Sequence, residues 1–137
     1  MAKTAIYTVN QGAVAVAVGG IIPLGSINRR FGCKCNNALD LNGNGITINE
    51  AGYYDVDISV TATATAAGTV TVTLLRDGVA VPGAVASATA AAAGTVALPI
   101  TALVRQACGC SGGSTLALVL GGAAATINNV ALKVIKL

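Results

Sequence analysis

The sequence predicts an all-β protein, a sandwich or a barrel. Three observations carry this. Apolar and polar residues alternate with period two along most of the chain, Gly-, Asn- or Pro-bearing turns separate the alternating runs, and no segment has helical periodicity. At 137 residues the chain is long enough for one domain with a core of its own. Charged residues are only 9% of it, against roughly 25% in an ordinary soluble domain. A surface so poor in charge suits a chain that buries much of it against copies of itself.

The elements follow in order. "TAIYTV" (4–9) and "AVAVAV" (13–18) are short strand runs split by Asn10-Gln11-Gly12. "PLGSIN" (23–28) reads as a turn. "NNALDLNGNGITINEAG" (36–52) holds two short strand pieces around Asn42-Gly43-Asn44-Gly45, and Asn-Gly favours a turn because both residues tolerate positive φ. "YYDVDISVTATATA" (53–66) is the clearest strand. Tyr54, Val56, Ile58 and Val60 share one face, while Asp55, Asp57, Ser59 and Thr61 share the other, which is wet or meets a partner. "TVTVTLLRDG" (69–78) stops at Asp77-Gly78, and "VAVPGAVASATA" (79–90) carries a Pro-Gly turn. "ASATAAAAG" (86–94) reads as strand and loop. "TVALPITALVRQA" (95–107) is a strand whose Pro99 points to an edge or a bulge. "STLALVL" (114–120) and "VALKVIKL" (130–137) complete about eight to ten strands.

Several function classes are set aside on composition. The net charge is +3, but the basic residues are spread along the chain, apart from a small group at 29–34, and Trp is absent. No nucleic-acid partner is expected from that footprint. Residues 79–104 are free of charge, yet Pro82, Gly83, Gly94 and Pro99 argue against a spanning helix, so no membrane insertion is expected. The start of the chain lacks the arrangement of a secretory signal. Synthesis in a cytoplasm is the expectation.

Little in the chain has the form of catalytic chemistry. There is no His, which excludes Ser-His-Asp and Cys-His nucleophile systems. "LNGNG" and "LGGAAA" read as turns and not as phosphate cradles. No enzyme activity and no cofactor are expected. Asp55 and Asp57, two apart on one strand face, are weak calcium candidates. Calcium needs six to eight oxygens, and the other acids are scattered. Arg29 and Arg30 are read as a solvated loop, with docking of a partner as the alternative, and Tyr53 and Tyr54 as packing residues. The four cysteines form two C-x-C elements, Cys33/Cys35 and Cys108/Cys110. A strand-like C-x-C points both side chains the same way. Two such pairs facing each other are able to form two disulfides, a tetrahedral metal site, or a set of buried thiols, and all three stay open.

"INEAGYYDVDISVTATA" followed by "TVTLLRDGVAVPGAVAS" resembles the globular heads of the tumour-necrosis-factor and complement-head superfamily. "STLALVLGGAAATINNVALKVIKL" looks like their penultimate and last strands. Collagen-like spore-surface heads and small bacteriophage virion proteins (head fibres or decorations) are the nearest of the group. The likeness covers about residues 38–137. It implies a jelly-roll β-sandwich of about ten antiparallel strands in a tight homotrimer. Strands "YYDVDIS" and "VALKVIKL" are expected to supply the three-fold contact, with Tyr54, Val130, Leu132, Val134 and Leu137 as contact candidates. The chain divides on this reading into an N-terminal strand or anchor segment, 1–18, which precedes the likeness, and a head domain, 19–137. The implied function is that of a non-enzymatic structural protein of a phage particle, a capsid decoration or fibre head located in the virion and partnered by a capsid or other particle protein. A spore- or cell-surface interaction protein is the alternative. So is a lectin-like module, for which a host-surface glycan would be the partner.

Overall fold

The strands obey the alternation of the sequence, and the alternation decides which side of each strand is dry. The computed structural model describes residues 4–31, 39–107 and 113–137. In chain order the strands are β1 (Ala5–Asn10), β2 (Val14–Val16), β3 (Ser26–Phe31), β4 (Leu39–Asn42), β5 (Gly45–Ile48), β6 (Gly52–Ala64), β7 (Gly68–Arg76), β8 (Val79–Ala90), β9 (Thr95–Gln106), β10 (Ser114–Gly121) and β11 (Ala125–Lys136). Among the described residues there is no helix, so none is long and apolar enough to cross a membrane.

Two antiparallel sheets face each other. The front sheet runs β3-β1-β11-β6-β9, with β2 also paired to β11, and the back sheet runs β4-β5-β10-β7-β8. Between them lies an aliphatic core. The front sheet supplies Ile6, Val56, Ile58, Val60, Ile100, Leu132 and Val134, and the back sheet supplies Ile46, Val72, Leu74, Leu116 and Leu118. Each such side chain contributes about 1.5–3 kcal/mol by leaving water. Tyr54 is the one aromatic among the fully buried side chains. Its hydroxyl donates to the Glu50 carbonyl at 2.6 Å, which satisfies the phenol at the rim of the core. Burial, then the Glu50 charge, pushes its pKa up to about 12.

Turn chemistry sets the hairpins. Asp77 (φ 52°) and Gly78 (φ 82°) both take the left-handed conformation between β7 and β8, as a tight hairpin requires. The Asn42–Gly45 stretch closes β4 on β5, and β8 runs to Ala90 before a loop, as the alternation and composition predict. Pro99 lies on β9, the last strand of the front sheet, so its missing N–H costs no ladder bond.

Within the segment expected as an N-terminal strand or anchor, 1–18, β1 sits between β3 and β11, with Ile6 and Thr8 buried. Three expectations need correction. "PLGSIN" is only partly a turn. Gly25 (φ 80°) makes the bend where a Cβ would lie 2.1 Å from the Val9 carbonyl oxygen, and Ser26 then begins β3. Arg29 and Arg30 therefore stand on an edge strand and not in a loop. Pro82-Gly83 does not reverse the chain either. It forms a bulge in β8, where the pairing to β7 jumps from Thr73↔Val85 to Leu75↔Ala80.

Candidate assembly face

The outward side of the front sheet is built by register. Arg29, Tyr7, Lys133, Asp57 and Thr101 stand side by side, one from each of β3, β1, β11, β6 and β9. One row along lie Phe31, Ala5, Ile135, Asp55 and Leu103. On the other side lie Val9, Ala131, Ser59 and Pro99. On β1, β6, β9 and β11 these positions alternate with the core residues of the same strands, so they point out of the sandwich, and β3 is exposed along its whole length. Small side chains dominate the last row, and the face sinks there into a shallow depression of about 480 Å³ around Ser59, Pro99 and Ala131.

The electrostatics of the central row are almost self-contained. The Lys133 ammonium lies 3.2 Å from the Asp57 carboxylate, and the Thr101 hydroxyl donates to the same carboxylate at 3.0 Å. The Thr101 hydroxyl, then Lys133, hold the Asp57 carboxyl below its ordinary range. Large apolar groups stand open on the same face, with Phe31 67% exposed and Leu103 59% exposed. The lateral ends differ: Arg29 and Phe31 mark the β3 end, and Leu103 and Arg105 mark the β9 end. The outward side of the back sheet is different. Its hydroxyls pair with each other, Thr71 with Ser87 at 2.9 Å and Thr69 with Thr89 at 3.4 Å.

Four of the five expected contact residues face the core of the sandwich. Tyr54, Val130, Leu132 and Val134 have no accessible surface within the single chain, so they have none to give a partner. Leu137 does stay open, at 74%. The residues of these strands that point outward are the alternates, Asp55, Asp57, Ala131, Lys133 and Ile135. Their signal was present: Lys133 interrupts "VALKVIKL" at odd parity. Asp55 and Asp57 share a face, as their spacing predicts. Asp57 is occupied by Lys133 and Thr101, and among the described residues no three potential metal-ligating groups come together. Arg30 pairs with Asp40. Cys33, Cys35, Cys108 and Cys110 lie outside the described residues.

No protein-family model and no curated protein sequence matches the chain. Its fold has many solved counterparts. Murine APRIL superposes with a TM-score of 0.68 at 11% identity, over 98% of this chain and 99% of that one. The globular domain of zebrafish complement 1qA protein gives 0.65 at 7% identity, over 98% and 96%. The vertex protein P5 of PRD1 gives 0.67 at 12% identity, over 100% and 99%. The chain therefore has the jelly-roll fold of the tumour-necrosis-factor-like and complement-head proteins. That likeness spans residues 5–16 as well, in accord with the place of β1 and β2 in the front sheet.

Proposed function

We propose that this chain is a non-enzymatic structural protein of a phage particle, a capsid decoration or fibre head, that works as a homotrimer. The observation that carries the particle role is the end-to-end likeness to PRD1 P5, a phage vertex protein. Support for the trimer comes from the likeness to trimeric heads and from the front face, with its exposed apolar groups, its row of small residues and its single neutralised ion pair. Three copies present three identical sets of loops together, so weak contacts add through avidity. A capsid or other particle protein is the partner on this reading.

Light scattering on the purified protein tests the assembly, and three times the 13.3 kDa chain mass is expected. A stable monomer at micromolar concentration overturns it. Immunogold imaging of purified particles tests the location. Absence of the protein from particles, with label on spores or cell envelopes, transfers the role to the surface-protein alternative.

A further inference from the structure

The front face carries one acid without a counter-charge, and the edge beside it carries two guanidinium groups in the same state. The chain has five acidic side chains, all among the described residues. Asp40, Asp57 and Glu50 pair with Arg30, Lys133 and Lys136. Asp77 accepts the Thr115 backbone N–H at 2.9 Å. Asp55 has no ion pair among the described residues. It stands half-buried on the outward side of β6, between Ile135 and Leu103 of the neighbouring strands.

The two guanidinium groups belong to a cleft of about 300 Å³ where β8 and β9 end their sheets, walled by Val79, Pro82 and Leu103 and carrying Arg76 and Arg105. Arg76 is held by neutral acceptors. It donates to the Ser114 hydroxyl at 3.2 Å, the Arg105 carbonyl at 2.6 Å and the Gln106 side-chain oxygen at 2.8 Å, so its charge stays unopposed. Arg105 lies over the Tyr53 ring, 6.0 Å from its centre. It forms no ion pair with Asp55, although Tyr53↔Arg105 and Asp55↔Leu103 are successive outward pairs of the same two strands. Leu103 belongs to the face and to the cleft at once. A copy that covers the β9 end of the face therefore also closes the cleft.

We propose that a second copy of the chain supplies the missing charge: the Asp55 carboxylate of one copy enters the Arg76–Arg105 cleft of the next. It accepts charge-assisted bonds from Arg105, with the charge of Arg76 alongside, and Ile135 beside it rests against the apolar walls Val79 and Leu103. This pairing rests on the trimer reading. A covered face that left a carboxylate in one place and guanidinium groups in another would lose the hydration of each without return. One contact between copies removes both losses. Each copy gives its carboxylate to one neighbour and receives one from the other, so every such pair forms around the ring. Arg29, the other cation of the face without an ion pair, stands on the exposed edge strand β3, where it keeps its water.

Charge reversal in the full chain decides the matter, read by light scattering over a dilution series and by the urea midpoint of the separated chain. Asp55→Lys and Arg105→Glu should each move dissociation to concentrations roughly a hundredfold higher or more, as for a desolvated charge left unpaired. Both positions face outward, so the urea midpoint should stay near the parental one. The two changes combined should recover about tenfold or more of the lost association, because opposite charges meet again with their roles exchanged. A trimeric parent with unaltered dissociation in Asp55→Lys overturns the pairing and leaves the trimer standing. A monomeric parent overturns the trimer and the pairing with it. Two further outcomes overturn the pairing alone. A lower urea midpoint with unchanged dissociation puts the contact within one chain. Rescue of Asp55→Lys by Arg29→Glu, and not by Arg105→Glu, gives the carboxylate to Arg29.

Discussion

Asp57→Asn tests the assembly face where its chemistry is most specific. In the single chain the Lys133–Asp57 pair stands roughly half in water, its side chains 46% and 42% accessible. An exposed pair of this kind contributes about 0.2–1 kcal/mol, so the substitution changes the stability of the fold by no more than that. Under a second copy the same change strands the Lys133 ammonium in a desolvated contact. Breaking a buried pair in this way costs about 3–5 kcal/mol, or roughly a hundredfold to several-thousandfold in the association constant. Asparagine retains an oxygen for the Thr101 hydroxyl, so the shape of the row is kept. Light scattering over a dilution series should show the variant dissociating where the parent is still trimeric, with a near-parental urea midpoint for the separated chain. Asp57→Asn combined with Lys133→Met should restore assembly, because no unpaired charge is left. Parental dissociation behaviour in the single variant would refute the placement of this pair inside an interface. The pH dependence has a defined sign. Thr101 and Lys133 depress the Asp57 carboxyl, so its contribution is present above the ordinary value of 3.8 and is lost as pH falls through the lower folded value. Assembly should hold at pH 5 and weaken below the ordinary value.

Three further outcomes follow from the fold. Thr8 is fully buried, and its hydroxyl has no hydrogen-bond partner among the described residues. Thr8→Val should therefore raise stability by about 1–2 kcal/mol, measured by urea unfolding, whereas destabilisation would mean that the hydroxyl is satisfied. Tyr54 has a raised pKa, so its contribution is complete below pH 10 and is lost between there and about 12. Alkaline unfolding of the parent should begin in that window, and Tyr54→Phe should remove this component while costing about 1 kcal/mol at neutral pH through the orphaned Glu50 carbonyl. Deleting residues 1–16 should unfold the chain, because β3 and β11 lose the strand between them and Ile6 and Val16 leave the core. A cooperative thermal transition in the truncated protein would mark the segment as a separable anchor.

What was legible in the sequence was local. Parity along 53–66 separates the core face of β6 from its outward face without reference to any other strand, and Asn42–Gly45 and Asp77-Gly78 mark hairpins through their own φ preferences. What was not legible depends on distant pairing. No local feature of "TAIYTV" reveals that β1 lies beside β11, whose first residue is more than a hundred positions away, so the segment looked separable. The Pro82-Gly83 pair has turn chemistry, and only the continued pairing of β8 with β7 on both sides of it makes a bulge. The assembly face is the extreme case. Its central row draws on positions 7, 29, 57, 101 and 133, and only the register of five strands brings them together. Yet the choice between its two sides was open to inspection on β11. Val130, Leu132 and Val134 are uniformly apolar, while Asn129 and Lys133 occupy the other parity. Lys136 returns to the core parity only at the end of the strand, where its ammonium pairs with Glu50, so over 130–134 the strand keeps its aliphatic side for its own core, because an ammonium is the group it can least bury. In the proposed trimer the side that carries the charge is the side that meets another chain, and its ammonium enters that contact with its counter-charge beside it, as Asp57 is here.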